Sequence, residues 1–139
     1  MITKSSQQTI EYAREFASKL NGGEVIGLIG ELGSGKTTFV KGMAEGLKVA
    51  ENITSPTFVM LKSYRGKIGK KNINFVHVDA YRIENIGDIK SLGIEDFFNR
   101  GDVVMVIEWA EKIKKILPKN MIHIHFKHKS ENQREIILE

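Results

Sequence analysis

The chain has 139 residues and no cysteine, and 21 lysines and arginines against 17 acidic residues leave a formal net charge of +4 at pH 7. This length supports a single domain, 1–139, that buries about 70% of its unfolded surface, and the lack of cysteine excludes disulfides and thiolate metal sites. The sequence shows no apolar run of membrane-spanning length and no secretory signal pattern, so we expect a cytoplasmic protein with no membrane partner.

The first predicted element is an amphipathic helix. Ser5 and Gln8 have the spacing of a capping box at its start. The sequence Asn21-Gly22-Gly23 predicts its end, because glycine commonly stops a helix. Between them, one apolar face recurs at helical spacing and consists of Ile10, Ala13, Phe16, Ala17 and Leu20.

Residues 30–38 match the phosphate-binding loop pattern G-x-x-x-x-G-K-[ST], with Gly30, Gly35, Lys36 and Thr37 at the diagnostic places. Glycines let backbone N–H groups approach phosphate oxygens, and the helix that follows adds its positive dipole end. Lys36 would bridge the outer phosphates, and the Thr37 hydroxyl would ligate Mg²⁺. The loop therefore predicts a site for a nucleoside triphosphate.

The flanking sequence supports this interpretation, because residues 25–29 form a short apolar run typical of a buried strand. After the loop, apolar side chains recur at helical spacing at Phe39, Val40, Met43, Ala44 and Leu47. Gly42 and Gly46 weaken this helix by about 1 kcal/mol each relative to alanine. Close packing against the sheet would be one reason to tolerate them.

Residues 52–58 form a predicted loop, because Pro56 excludes a helix and two threonines and a serine supply hydroxyl groups. Many NTPases keep a segment that senses the γ-phosphate at this point of the chain. A plain connector is equally compatible with the sequence.

The next predicted strands, 58–64 and 73–78, could form a hairpin around a basic turn at 65–71. This turn could contact a nucleic acid backbone, but we favour a solvated turn. Residues 89–98 then suggest one or two short helices broken at Gly93.

The most uniformly apolar run is 103–107, which predicts a strand buried on both faces. A helix beginning at Trp109 and closed by Pro118, and strands at 121–126 and 134–138, complete the chain. This order predicts an α/β three-layer P-loop NTPase fold with a largely parallel central sheet and antiparallel strands at the edges.

Hydrolysis also requires an acidic residue at a strand end to hold Mg²⁺. Asp79 and Glu108 each follow an apolar strand, so both should emerge at the carboxyl edge of the sheet. We assign Glu108 to the metal because its strand is the more apolar and should lie beside the loop strand. Asp79 would then position or polarise the attacking water, although the two roles could be exchanged.

Four motifs occur together in this order: residues 30–39, Thr54-Ser55-Pro56-Thr57-Phe58, His77-Val78-Asp79-Ala80-Tyr81-Arg82 and Ile107-Glu108-Trp109. With them the chain resembles the TsaE (formerly YjeE) family over nearly its whole length. That family comprises bacterial ATPases needed for threonylcarbamoylation of adenosine 37 in tRNAs that read ANN codons. The chain has Ser34, Ala80 and Ala110 where the family usually has Ala, Leu and Pro, and none of these differences removes a functional group.

The resemblance implies site residues. Thr37 and Glu108 would be the Mg²⁺ ligands, and Asp79 and Trp109 would lie near the nucleotide. Asp79 and Lys36 are our candidate catalytic residues. The residues that would contact ATP are Ser6, Thr9, Gly33, Ser34, Gly35, Lys36, Thr37, Thr38, Trp109 and Arg134. Of these, Ser6 and Thr9 would lie near the base.

The resemblance also implies partners. The protein would dock to a TsaD–TsaB heterodimer and reset it between turnovers, with tRNA reached indirectly through that complex. Alone it should be a poor ATPase, because the chain offers no obvious arginine finger, Arg82 being the one candidate.

Three other functions compete with this one. A small-molecule P-loop kinase would need an arginine-rich lid, whereas the segment after Pro118 contains only Arg134. A GTPase would need an Asn-Lys-x-Asp run, which the sequence lacks. A nucleotide-gated binding module is compatible with the same motifs.

Overall fold

The computed structural model describes residues 1–31, 33–54 and 61–139. Within these ranges, seven strands form one sheet, and three α-helices and two 3₁₀ helices flank it. The strands are β1 (Ile2–Thr3), β2 (Val25–Gly30), β3 (Leu61–Ile68), β4 (Lys71–Asp79), β5 (Val103–Glu108), β6 (Ile122–His128) and β7 (Arg134–Leu138). The helices are α1 (Ser6–Ser18), α2 (Lys36–Gly46), α3 (Ile86–Lys90) and the 3₁₀ helices Ile94–Phe97 and Ala110–Ile116.

The sheet has the strand order β1-β7-β6-β2-β5-β4-β3. Its centre is parallel, since β2 pairs in parallel with both β5 and β6, and β4 pairs in parallel with β5. The pairs β3–β4, β6–β7 and β1–β7 are antiparallel. The prediction of a parallel centre with antiparallel edges is therefore confirmed.

Two apolar cores, one on each face of the sheet, give the predicted three layers. Every residue of β5 is buried. Val104 and Val106 pack into the core under α1 and α2, whereas Met105 and Ile107 pack into the core under α3 and the 3₁₀ helices. A strand buried on both faces loses the polar alternation of a half-exposed strand, as the apolar run 103–107 predicts.

The start of α1 confirms the predicted cap with one difference. The Ser5 hydroxyl accepts a hydrogen bond from the Gln8 N–H at 3.1 Å. The Oε1 of Gln8 accepts a hydrogen bond at 2.7 Å from the N–H of Lys4, which stands one residue before the cap. This cap fixes the direction in which the chain enters α1.

The prediction that Gly42 and Gly46 pack against the sheet is wrong. Both glycines face α1, where a Cβ on Gly42 would lie 2.5 Å from the Ile10 carbonyl oxygen and one on Gly46 would lie 2.4 Å from that of Arg14. Glycine is required because the two helix backbones approach each other more closely than a methyl group allows.

The hairpin prediction is confirmed, but its turn is much shorter than 65–71. Strands β3 and β4 remain paired as far as Ile68 and Lys71, so that Gly69 and Lys70 alone connect them. Long charged side chains such as Arg65 and Lys67 are exposed on this edge strand, where charge opposes strand-to-strand aggregation. Residues 58–60 of the predicted strand lie outside the described residues.

The predicted helix from Trp109 is a 3₁₀ helix, Ala110–Ile116, broken at Ile113. Ala110 and Ile113 are its buried residues. The short helices on either side of Gly93 are confirmed. In the described part of the chain, no helix has the length and apolar character needed to cross a membrane.

Candidate active site

Three neighbouring parallel strands bring the predicted site residues together. Strand β5 lies beside β2, with Glu108 paired to Leu28, and on its other side Glu108 pairs with Asp79 of β4. The carboxyl ends of parallel strands meet at one edge of the sheet, where ligands bind in open α/β folds. The reasoning that the most apolar strand neighbours the loop strand is confirmed.

The loop after β2 needs glycine where the backbone turns into α2. Gly35, the residue before α2, has φ +103°, in the left-handed region that L side chains rarely adopt. The first intrahelical bond runs from the Phe39 N–H to the Gly35 carbonyl. The preceding N–H groups at the helix start are therefore outside the helical ladder and are suited to an anion.

Lys36 is buried over the loop, with only 4% of its surface exposed. Its ammonium donates to the carbonyls of Gly30 at 2.6 Å and Glu31 at 2.8 Å and to the Ser34 hydroxyl at 3.3 Å. It also lies 4.1 Å from the centre of the Trp109 ring, a cation–π distance. Burial lowers the pKa of Lys36, and the nearby carboxylates, Glu108 first, oppose that shift.

Glu108 links α2, β4 and β5 through its two carboxylate oxygens. The Thr37 hydroxyl donates to Oε1 at 2.8 Å, and the Nε2 of His77 lies 2.7 Å from Oε2. Glu108 is 3% exposed and His77 fully buried. A buried carboxylate needs such partners, because an unpaired one is costly, so the orientation of Glu108 is fixed by contacts from two other elements.

Asp79 lies next to Glu108 but is held differently. It is half-buried, and its Oδ1 accepts a hydrogen bond from the N–H of Tyr81 at 2.9 Å. Burial raises the pKa of Asp79, the bond from Tyr81 lowers it, and the charge of Glu108 raises it further. Asp79 is the more accessible of the two carboxylates at the sheet edge.

These groups surround a pocket of about 350 Å³, within the size range of small-molecule sites. Of the residues assigned to the site from the sequence, Ser34 alone is absent from the pocket wall, since it is buried beneath the loop against Lys36. The pocket is lined by Ser5, Ser6, Thr9, Gly33, Gly35, Lys36, Thr37, Thr38, Asp79, Tyr81, Glu108, Trp109, Glu131, Asn132 and Arg134.

The wall opposite the sheet edge is formed by the start of α1 and the turn before β7. Nη1 of Arg134 donates to the carbonyls of Ser130, Glu131 and Gln133 at 3.0–3.3 Å, so this arginine holds the turn in shape. The Thr9 hydroxyl is bonded to that of Thr3 at 2.7 Å. Thr9 therefore anchors α1 to β1 as well as lining the pocket.

Two aromatic side chains, Tyr81 and Trp109, line the pocket, and Lys112 lies against them. The rings of Tyr81 and Trp109 are 5.0 Å apart, and the Lys112 ammonium lies 4.8 Å from the Tyr81 ring and also donates to the Tyr81 carbonyl. Trp109 is in the left-handed region, with φ +61°. For a bulky residue this conformation is an outlier, and it places the indole over Lys36.

Sequence reasoning missed five residues of the site or its support. Tyr81 and His77 stand within the motif around Asp79, and the alternation of β4 places His77 on the same face as Asp79, a signal that could have identified it. Ser5, Glu131 and Asn132 carry no such signal, because the fold of the whole chain brings them to the pocket.

The donor set fits a hard divalent cation. A threonine hydroxyl and a glutamate carboxylate, Thr37 and Glu108, already lie within hydrogen-bond distance beside the loop, and oxygen ligands of this kind suit Mg²⁺. The residues present could thus hold Mg²⁺ together with the phosphates of a nucleotide. The Thr-Ser-Pro-Thr-Phe segment cannot be placed beside them, because residues 55–58 lie outside the described residues.

A family profile and two related proteins that match this chain carry the same family name. The profile of the family "Threonylcarbamoyl adenosine biosynthesis protein TsaE" matches residues 3–136. The tRNA threonylcarbamoyladenosine biosynthesis protein TsaE of Bacillus subtilis is 36% identical over 134 residues, which cover 96% of this chain and 80% of that protein. The protein of the same name from Treponema pallidum is 36% identical over 135 residues, covering 97% of this chain and 96% of that protein.

A solved structure agrees with the fold. The crystal structure of YdiB from Bacillus subtilis superposes with a TM-score of 0.76 at 34% sequence identity, covering 98% of this chain and 80% of that one. The likeness extends over the sheet and both helical layers, and therefore includes the elements that form the pocket.

Proposed function

This chain belongs to the TsaE family, and on that premise we propose that it is a Mg²⁺-dependent ATPase of tRNA threonylcarbamoyladenosine biosynthesis. Its relatives are named for that pathway. The proposal adds a chemical role: binding and hydrolysis of ATP at the pocket described above, in support of the modification of adenosine 37 in tRNAs that read ANN codons.

One contact carries the proposal, the 2.8 Å hydrogen bond from the Thr37 hydroxyl to Glu108 Oε1. It joins the first turn of the helix after the loop to the end of the neighbouring strand. In P-loop NTPases, a hydroxyl and a strand-end carboxylate at these two places hold Mg²⁺. Thr37 and Glu108 would hold the ion here, and the ion would neutralise charge on the phosphates.

The loop and Lys36 would bind the phosphates. Backbone N–H groups of residues 33–38 would donate to phosphate oxygens, and Lys36 would exchange its bonds to the Gly30 and Glu31 carbonyls for charge-assisted bonds to the outer phosphates. Because Lys36 is already buried, little further desolvation accompanies this exchange.

Asp79 would act on the attacking water. It is more accessible than Glu108, and burial raises its pKa, which favours a role as proton acceptor. Glu108 has both oxygens engaged by Thr37 and His77. The arrangement therefore favours Glu108 as the metal ligand and Asp79 as the residue that orients water.

Slow turnover of the isolated protein is part of the proposal. Among the described residues that line the pocket, the cations are Lys36 and Arg134. The Nη1 of Arg134 already donates hydrogen bonds to the turn carbonyls. Transition-state charge on the phosphoryl group is commonly stabilised by an added arginine. A TsaD–TsaB complex would raise the rate on docking, and this protein would reset that complex with each ATP cycle.

The first test removes the carboxylate charge. Glu108→Gln should lower Mg²⁺-dependent ATP hydrolysis by roughly 100-fold, measured as phosphate release. Glu45→Gln, on the exposed face of α2, is the matched control and should keep the wild-type rate. Unchanged hydrolysis in Glu108→Gln would contradict the proposal.

The second test concerns the pathway. Hydrolysis is measured while purified TsaD–TsaB is titrated, with and without tRNA, and threonylcarbamoyladenosine is quantified by mass spectrometry. We expect a stimulated rate and a loss of modification with Glu108→Gln. If modification persists without hydrolysis but still needs ATP, the protein is a nucleotide-gated binding module.

A further inference from the structure

His77 is a fully buried histidine that touches the proposed metal ligand, and the proposed reaction does not use it directly. It lies on β4, paired with Val106 of β5, with 0% of its surface exposed. It shares one face of β4 with Asp79, two residues away. Its Nε2 is 2.7 Å from Glu108 Oε2, on the side of the carboxylate away from Thr37.

We assign the ring proton of His77 to Nε2, because a carboxylate partner accepts hydrogen bonds. Nδ1 is then an acceptor, and it is buried without a hydrogen-bond partner among the described residues. A buried imidazole that satisfies one nitrogen alone is unfavourable as core packing, and its bond to Glu108 is the feature that an apolar side chain could not replace.

The two oxygens of Glu108 are thus divided between two elements. Oε2 is bonded to the sheet through His77, and Oε1 faces the Thr37 hydroxyl at the pocket. With Oε2 held, the carboxylate cannot rotate about its terminal bond without breaking a buried hydrogen bond. Residues that hold a ligand in this way strongly affect metal affinity.

We propose that His77 is a positioning residue that holds the Glu108 carboxylate so that Oε1 is presented to the Mg²⁺ of a bound nucleotide. The inference rests on the proposed function, since it assumes a metal beside Thr37 and Glu108. It assigns His77 no contact with nucleotide or metal, and it predicts an effect on the metal rather than on the nucleotide alone.

The experiment compares three substitutions by metal affinity. His77→Phe keeps the ring shape and removes the N–H, His77→Gln carries an amide N–H that can reach the position of Nε2, and His77→Asn carries the same group one methylene shorter. Mn²⁺ binding to the ADP-bound protein is measured by electron paramagnetic resonance. Binding of a fluorescent ADP analogue in EDTA reports the nucleotide site without metal.

We expect His77→Phe and His77→Asn to weaken Mn²⁺ binding about tenfold. His77→Gln should remain within about threefold of wild type, and binding of ADP in EDTA should be unchanged in all three. A purely structural role would lower stability and ADP binding together and would not distinguish Gln from Asn.

Two results would overturn the inference: equal Mn²⁺ affinity in the Gln and Asn variants, or wild-type Mn²⁺ affinity in a folded His77→Phe. If His77→Phe does not fold, the difference in Mn²⁺ affinity between His77→Gln and His77→Asn still tests the inference. Failure of the proposed function looks different, because then the wild-type protein itself would bind ADP with no dependence on Mn²⁺ or Mg²⁺.

Discussion

The pocket has two ends that are built in different ways. The phosphate end, which comprises Lys36, Thr37 and Glu108, is joined by hydrogen bonds between residues 71 and 31 positions apart, Thr37 with Glu108 and His77 with Glu108. At the turn end, which comprises Ser6, Glu131, Asn132 and Arg134, the hydrogen bonds from the Arg134 side chain span four residues or fewer.

Burial follows the same division. Lys36 and Glu108 are 4% and 3% exposed, whereas Ser6, Glu131 and Asn132 are exposed. Electrostatic interactions are stronger away from water, and bonds between distant elements break only when the fold itself opens. The comparison indicates that buried contacts between distant elements pre-organise the phosphate end, whereas the more exposed side chains of the turn end contribute less to binding.

The largest effect should come from the phosphate end. Lys36→Met keeps the length of the side chain and removes its charge, and with it the charge-assisted bonds to phosphate. Such bonds contribute up to about 3 kcal/mol, so we expect ATP affinity to fall roughly 100-fold, measured by isothermal titration calorimetry.

Lys41→Met is the matched control, because Lys41 lies on the exposed face of the same helix. It should bind ATP as the wild type does. A loss below threefold in Lys36→Met would show that the backbone of the loop alone accounts for phosphate binding.

The next largest effect is expected at the contact between α1 and α2, which holds the two ends of the pocket together. Ser6 stands on α1 and Lys36 on α2, and these helices pack at Gly42. Gly42→Ala gains about 1 kcal/mol in helix propensity but overpacks the contact with the Ile10 backbone at a cost of about 1–3 kcal/mol. We expect a net loss of up to about 2 kcal/mol in the free energy of unfolding, measured in urea.

Lys41→Ala, one residue earlier and exposed, should leave the free energy of unfolding within about 0.5 kcal/mol of wild type. If Gly42→Ala were as stable as Lys41→Ala, the close approach of α1 and α2 would not be what requires glycine.

A smaller effect is expected at the turn end. Arg134→Met removes the bonds to three turn carbonyls, and because these bonds lie near solvent we expect a loss of about 1 kcal/mol. ATP affinity should therefore fall roughly fivefold, with unchanged dependence on Mg²⁺. Lys127→Met, exposed on β6, is the control for a lost surface cation.

An affinity loss in Arg134→Met as large as that in Lys36→Met would contradict the conclusion that the turn end contributes less to binding than the phosphate end. It would mean that Arg134 itself binds the nucleotide strongly when ATP is present, with its turn contacts as a secondary role.

The difference between the ends also explains what the sequence could predict. The phosphate end follows from a contiguous motif and from two strands that end in carboxylates, and the apolar run 103–107 was enough to place β5 beside β2. The central sheet and its antiparallel edges followed from the same patterns.

Other features depend on tertiary packing that local patterns do not contain. The partner of Gly42 is α1 rather than the sheet, and no local signal distinguishes the two. Trp109 adopts a left-handed conformation that its residue type disfavours, and it is the N-cap of the predicted helix, which begins one residue later at Ala110. The turn end depends on a fold that brings both ends of the chain to one pocket.

The smallest effect concerns Asp79, which pairs with Glu108 at the sheet edge, and is measured as the free energy of unfolding. Burial raises the pKa of Asp79 above its usual 3.8, so the folded protein binds this proton more tightly than the unfolded chain does. Stability is therefore lost as pH rises through the folded pKa. Asp79→Asn, which keeps an oxygen for the Tyr81 N–H, should be more stable than wild type at pH 7, and the gain should disappear below about pH 3.8.

Asp102→Asn should change the free energy of unfolding at pH 7 in the opposite direction. Hydrogen bonds from Arg100 at 3.0 and 3.2 Å lower the pKa of Asp102, so its ionised form adds stability at neutral pH and loses it as pH falls. Urea unfolding of both variants from pH 3 to 8 should give differences from wild type of opposite sign at pH 7 that converge at low pH. A gain in Asp79→Asn that persists at pH 3 would instead point to improved packing, because a protonated Asp79 carries no charge whose burial could be relieved.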